Sequence, residues 1–255
     1  GAKAGNLILQ LYSVLLDNLT VLNGSASITT QTDITINSVN CASGTAFTLT
    51  TTGDATIGGT LTASGDTTIS AGGDVSIAGN IIGVYTHADD SLTISGDSVV
   101  LGDINLNNQS NTDSTLSLAA SGGLITGAMT LIGVEIEISS GGDTVIGGDI
   151  VVDPSTVTQT VHDGDLTFNG TITVTDGSSY YVIVTGGNVV FNKYVLVAGD
   201  SLLDISATIG VGSSGSIRVR RPSRTNRRCS GRRWPPGSAH MQPFVSSASS
   251  SATQK

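Results

Sequence analysis

The chain has 255 residues with 33 Gly, 5 Pro, 2 Cys and 1 Trp, a formal charge of −9, and only 12% charged and 4% aromatic residues. So few charges, against roughly 25% in soluble domains, exclude a coiled coil, and Gly without a strict triplet excludes collagen. An apolar share of 38% is too high for a chain disordered throughout, and no apolar run approaches the roughly 20 residues of a membrane span.

In chain order, the sequence opens Gly1-Ala2-Lys3-Ala4 without Met or a signal peptide and is expected to be a piece of something longer. Residues 1–18 are expected to form an N-terminal strand or cap-like fragment. Residues 19–217 then repeat. A weak copy, Asp33-Ile34-Thr35-Ile36, precedes clear ones at Gly53-Asp54-Ala55-Thr56-Ile57, Gly73-Asp74-Val75-Ser76-Ile77 and Gly96-Asp97-Ser98-Val99-Val100. A degenerate copy, Gly122-Gly123-Leu124-Ile125, leads to Gly142-Asp143-Thr144-Val145-Ile146, Gly164-Asp165-Leu166-Thr167-Phe168 and Gly187-Asn188-Val189-Val190-Phe191. The step averages about 22 residues. Secondary copies at Gly65-Asp66 and Gly199-Asp200 put at least two strand-turn pieces in a period.

Three short strands with their corners use about 22 residues, one turn of a parallel β-solenoid. An antiparallel sandwich would also show frequent turn signals, but would not keep a register that superposes at this period. The expected fold is therefore all-β, a right-handed parallel β-helix of about eight or nine coils, its hand assumed from the crossover rule together with the resemblance given below. Gly is expected to supply a positive φ at each corner and Asp or Asn to bond its own backbone there. Ile57 and Leu61 should face inward, answered one coil on by Ile77 and Ile81, with Thr56, Ser76 and Thr167 outward. His87-Ala88-Asp89-Asp90 and Asn107-Asn108-Gln109-Ser110-Asn111 should occupy loops that bulge from corners.

Composition breaks near residue 217. Residues 1–217 carry 2 Lys against 20 acids, a net of −18, whereas all eight Arg, from Arg218 to Arg233, and Lys255 lie beyond. Residues 218–255, rich in Arg, Pro and Ser, are expected to be an irregular, disordered tail, with a reading-frame shift or cloning junction as the leading explanation. An ordinary disordered tail with no role is the first alternative and a nucleic-acid arm the second, but a body at −18 repels the same polyanion, so no nucleic-acid partner is expected.

Four features could carry chemistry. His162-Asp163-Gly164-Asp165 sets a His beside two carboxylates, as acid–base or metal chemistry requires, yet Gly164-Asp165 is a repeat corner. His87 with Asp89 and Asp90 forms a second such group, in a loop. Asp143-Thr144-Val145-Ile146-Gly147-Gly148-Asp149 faintly matches a calcium-binding nonapeptide, but one incomplete copy makes no cage. Cys41 and Cys229, one in the body and one in the tail, are not expected to pair. No catalytic residue, metal or cofactor is assigned.

The run Gly53-Asp54-Ala55-Thr56-Ile57 with Ser64-Gly65-Asp66-Thr67-Thr68-Ile69-Ser70-Ala71-Gly72-Gly73-Asp74-Val75-Ser76-Ile77 resembles the repeat region of filamentous-haemagglutinin-type adhesins. The resemblance, over roughly residues 19–210, is one of period and composition. It implies a right-handed β-helical shaft on a large bacterial surface protein, secreted or held outside the outer membrane. It carries over no functional residue. The expected function is a non-catalytic stalk or adhesin segment that touches host or biofilm glycans or surface proteins and can self-associate through open solenoid ends. The alternative is a β-helical polysaccharide hydrolase. A lyase is disfavoured because the body has no Arg and only Lys3 and Lys193.

Overall fold

The computed structural model describes residues 5–87, 90–109, 114–209 and 213–220, with residues 209 and 213–220 described by their backbone alone. Every described element is a strand. The first two coils hold two long strands each: β1 (Gly5–Leu11) with β2 (Val14–Val21), then β3 (Gly24–Thr30) with β4 (Ile34–Cys41). Coils of three strands follow: β5 (Ala46–Thr51), β6 (Ala55–Ile57) and β7 (Leu61–Ala63); β8 (Asp66–Ala71), β9 (Val75–Ile77) and β10 (Ile81–Tyr85); β11 (Ser91–Gly96), β12 (Val99–Leu101) and β13 (Ile104–Asn108). Next are β14 (Thr115–Ala120), β15 (Leu124–Thr126) and β16 (Met129–Ile132); β17 (Glu135–Ser140), β18 (Thr144–Ile146) and β19 (Ile150–Asp153). The last coils are β20 (Thr156–Val161), β21 (Leu166–Phe168) and β22 (Ile172–Val174); β23 (Ser179–Thr185), β24 (Val189–Phe191) and β25 (Val195–Val197). β26 (Leu202–Ile209) opens a further level, and β27 (Ser213–Arg220) returns along it.

The chain is thus a β-solenoid of about nine turns. The first strand of each coil stacks into an 11-stranded sheet that runs from β1 to β27; the remaining strands form a 16-stranded sheet. Among the described residues each strand pairs in parallel with its counterpart one coil away, and only β26 with β27 is antiparallel. β4 shows how the three-strand coil arises. Its first half pairs with β6 and its second with β7, and the one strand becomes two where Gly58-Gly59 bends the next coil.

Alternation along each strand sends every second side chain to a shared axial core. Ile57 stands on Ile77 and Leu61 on Ile81, all four buried, while Thr56, Ser76 and Thr167 lie on the outer surface, as the repeat predicts. Complete burial of each such aliphatic side chain contributes about 1.5–3 kcal/mol. Toward the C-terminal coils aromatics fill the core. Phe168 stacks on Phe191 at 5.1 Å between centroids and meets Tyr180 edge-on at 6.3 Å. The polar atoms this imports are partly met: Tyr180 Oη donates to Gln159 Oε1 at 2.5 Å, both residues being fully buried.

The corners work differently from the expectation. None of Gly53, Gly73, Gly96, Gly142, Gly164 and Gly187 has a positive φ; apart from Gly186, the positive-φ glycines, such as Gly44, Gly133 and Gly177, lie at the corner leading back to the 11-stranded sheet. Nor does Asp bond its own turn. Asp33 Oδ1 accepts the Asp54 N–H (3.0 Å), Asp54 Oδ1 the Asp74 N–H (2.9 Å) and Asp74 Oδ1 the Ser98 N–H (3.0 Å). Asp143 and Asp165 continue this column by accepting from Asp165 (2.8 Å) and Asn188 (2.7 Å). At the next corner Asp103 and Asp149 do the same for Ala128 (2.8 Å) and Thr171 (2.7 Å). The glycine before the donating residues Asp54, Asp74 and Ala128 follows from the same packing. A Cβ on Gly53, Gly73 or Gly127 would overlap the Oδ1 of Asp33, Asp54 or Asp103 in the coil beneath. Gly and Asp are therefore halves of one inter-coil joint.

Other boundaries move. Residues 5–21 already form a coil, paired in register with the second, so winding begins ahead of residue 19; Leu7 and Leu9 occupy the inward columns of Ala26 and Ile28. Asp97 stands one place before the Asp column, because Val75 pairs with Val99 and so aligns Asp74 with Ser98. Asn107 and Asn108 belong to β13 rather than to a loop, since their backbone continues the ladder with β10. The break expected at 217 falls within β27, where Asp204 pairs with Arg218. Arg218, Val219 and Arg220, the first residues of the expected irregular tail, continue β27, whereas Ala88, Asp89, Ser110, Asn111 and residues 221–255, with Cys229 and the rest of that tail, lie outside the described residues.

Candidate functional site

The His162 cluster is spread along a corner. His162, Asp163 and Asp165 are all exposed. The backbone of His162 serves the ladder, its N–H donating to Ser140 O at 2.9 Å and its carbonyl accepting from Thr185 Oγ1 at 3.1 Å. One oxygen of Asp165 is taken up by the Asn188 N–H and the Asn188 side-chain amide (3.0 Å). These bonds assign Asp165 to the inter-coil joint.

His87 is built into a tighter group. Ser43 Oγ lies 2.7 Å from His87 Nδ1 and 2.6 Å from Thr86 Oγ1. Asp90 is only 3% exposed, and its Oδ2 accepts the backbone N–H groups of Thr86 (3.2 Å) and His87 (3.1 Å). A hydroxyl, an imidazole and a carboxylate thus meet, but in an order that suits anchoring. Here the Asp90 carboxylate folds the turn through its backbone, and the imidazole rests over Gly44, 3.4 Å from where a Cβ would stand. The group ties the turn after β10 to the turn after β4, two coils below. Ser43 is the partner that the sequence offered no way to find, being 44 residues away.

Among the described residues no group of three or more His, Cys, Asp or Glu is placed to hold a metal ion. Asp143 and Asp149 occupy two different corners, each bonded to the coil above. Cys41 is a buried free thiol, its Sγ 3.1 Å from Thr45 Oγ1. The Asp153 carboxyl is held above its usual range by burial and by the neighbouring Asp176 carboxylate.

The most distinctive surface is the outer face of the 11-stranded sheet. Hydroxyls stack there in register: Thr48, Thr68, Thr93 and Ser117 in one column, with Ser91 and Thr115 beside them. Both columns then reach a glutamate, Glu137 and Glu135 respectively, and return to Thr158 and Thr156. A shallow depression of about 340 Å³ lies between Ser117, Glu135, Glu137 and Thr158. A second, of about 410 Å³, adjoins it across Glu135 and is floored by Ser114, Val134 and Ser155. The sequence did carry a signal for this place, two glutamates two residues apart in a chain whose other acids are all Asp.

No protein-family model, curated protein or solved structure matches the chain. No helix among the described residues is long and apolar enough to cross a membrane.

Proposed function

We propose that the chain is a non-catalytic shaft segment of a large exported bacterial surface protein, of the filamentous-haemagglutinin type that its repeats resemble. The single observation that supports this most is the inter-coil joint. Carboxylates that could otherwise serve chemistry accept backbone N–H groups of the next coil at seven corner positions, from Asp33 to Asp165. Such joints, added to a continuous main-chain ladder, resist bending and separation of coils, as a stalk requires. The segment acts by holding binding regions away from the cell, and its uncharged hydroxyl columns offer repeated weak contacts to host or biofilm glycans or surface proteins. Surface labelling tests the location. Antibody raised against the chain should stain intact source cells, and protease treatment of those cells should remove the stain. Staining only after lysis refutes the reading.

One observation favours the alternative, a β-helical polysaccharide hydrolase. Glu135 and Glu137 share a face, their backbones about 6.6 Å apart along β17 and their carboxylates free to spread from there. A carboxylate pair that activates water across a glycosidic bond spans about 6.5–9.5 Å. Reducing-sugar release from a polysaccharide panel, abolished in Glu137→Gln, would establish this alternative and overturn the shaft reading.

A further inference from the structure

We propose that the outer face of the 11-stranded sheet around Glu135 and Glu137 binds a polysaccharide of amino sugars, whose ammonium groups meet the two carboxylates. The inference deepens the stalk reading by naming a ligand class, and rests on it for the site's presentation outside the cell. Its first basis is charge. Glu135 and Glu137 are exposed, and among the described residues neither has an ion-pair or hydrogen-bond partner. Lys193, the only Lys or Arg whose side chain is described, lies between β24 and β25, strands of the other sheet. Residues 1–217 as a whole carry 2 Lys against 20 acids. Two carboxylates side by side in such a field favour a ligand that brings positive charge.

The second basis is a buried hydroxyl without a partner. At the corner leading into the 11-stranded sheet, Ser155 Oγ accepts the Val134 N–H at 3.1 Å and Ser178 Oγ the Ser155 N–H at 3.2 Å. Ser114 stands in the same column, one place before Thr115, which pairs with Glu135. It is 0% exposed, yet its Oγ has no partner among the described residues. Ser114 and Glu135 both line the depression of about 410 Å³, and Glu135 also borders the one of about 340 Å³ that reaches Glu137. A sugar seated there answers Ser114 with a hydroxyl and Glu135 with its ammonium. The third basis selects sugar over basic peptide. β14, β17 and β20 are paired on both edges, so an extended peptide finds no backbone partner on this face. What the face offers is side-chain hydroxyls in register, with Ser117 and Thr158 on either side of Glu137. One coil past Thr158 the same column presents Tyr181, 36% exposed and about 10 Å from Glu137 at strand spacing. An aromatic body with a polar tip suits a pyranose ring, apolar on its faces and hydroxylated at its rim. Carboxylate, hydroxyl and ring thus follow one another along the solenoid axis, as the units of a polysaccharide do.

Calorimetry on the 255-residue chain tests this with a chitosan hexamer, at a pH where its amines are protonated. The hexamer should bind, and the N-acetylated chitin hexamer should bind at least about tenfold more weakly. Glu135→Gln together with Glu137→Gln should weaken the chitosan hexamer by at least about tenfold, with thermal unfolding unchanged. Ser114→Ala and Tyr181→Ser should each weaken it by about threefold to tenfold. Asp163→Asn together with Asp200→Asn removes the same charge from two exposed corner positions and should leave affinity within about twofold. No binding, equal affinity for the two hexamers, equal loss in the aspartate control, or a hexalysine peptide that binds as tightly as the chitosan hexamer overturns the proposal. Surface labelling of cells decides the stalk reading separately, so each can fail without the other.

Discussion

Replacing Asp54 separates the two jobs its carboxylate performs. Oδ1 accepts the Asp74 N–H at 2.9 Å, while the same side chain is stacked between Asp33 and Asp74 in the coils below and above. At a coil spacing of about 4.8 Å, each like-charge pair costs about 0.9 kcal/mol in water, and about 0.5 kcal/mol after screening at 0.15 M salt. Removing the charge of Asp54 therefore relieves about 1 kcal/mol. Against this, a charged acceptor is worth about 1 kcal/mol more than a neutral one. Asp54→Asn keeps the acceptor and should be nearly neutral, as the natural Asn188 in the same column suggests. Asp54→Ala loses the acceptor altogether and should cost about 1 kcal/mol net. Hydrogen exchange at the Asp74 amide reads this locally: about fivefold faster in the Ala variant, unchanged in the Asn variant. At low salt the Asn variant should gain on the parent protein. If Asn and Ala variants exchange alike at Asp74, the carboxylate is not an inter-coil joint and the account of the corners fails.

Three further expectations follow from the same packing. Among glycines, Gly58→Ala should stabilise by about 0.4–1 kcal/mol, since a Cβ there meets nothing nearer than Asn37 Oδ1 at 3.6 Å. Gly177→Ala, at φ +79 in open space, should cost about 1–2 kcal/mol, and Gly102→Ala, whose Cβ would overlap the Gly79 carbonyl, about 1–3 kcal/mol with slowed or incomplete folding. Denaturant midpoints that rank these otherwise would refute the distinction between close approach and backbone strain. The buried tyrosines should also part company: Tyr85→Phe removes a hydroxyl with no hydrogen-bond partner among the described residues and should be neutral or stabilising, whereas Tyr180→Phe strands Gln159 Oε1 and should cost about 1–3 kcal/mol. Burial raises both phenols above the ordinary value of 10.0, Tyr85 further through Asp90 and Asp66. Their contribution is fully present below pH 10 and is lost as pH rises beyond it, so phenolate absorbance should appear together with unfolding; titration of all five tyrosines in the folded protein would contradict this.

The repeat of about 22 residues was enough to give the solenoid, its coil number and the inward faces of Ile57, Leu61, Ile77 and Ile81. A side-chain period of two and a fixed coil length leave few ways to bury the same columns. Residues 5–21 escaped because their alternation carries no Gly-Asp sign, and only pairing with β3 and β4 identifies them as a coil. The purpose of that sign was equally hidden. Within one coil, Gly-Asp looks like a self-contained turn. Its clash and its hydrogen bond both lie with the coil beneath, 20 to 25 residues away. Ser43 with His87 and the register that displaces Asp97 depend on contacts of the same kind. Local propensity and period decide which residues face inward, because those depend on neighbours in sequence. Which atoms meet across the stack depends on register between coils, and that exists only once the chain has wound.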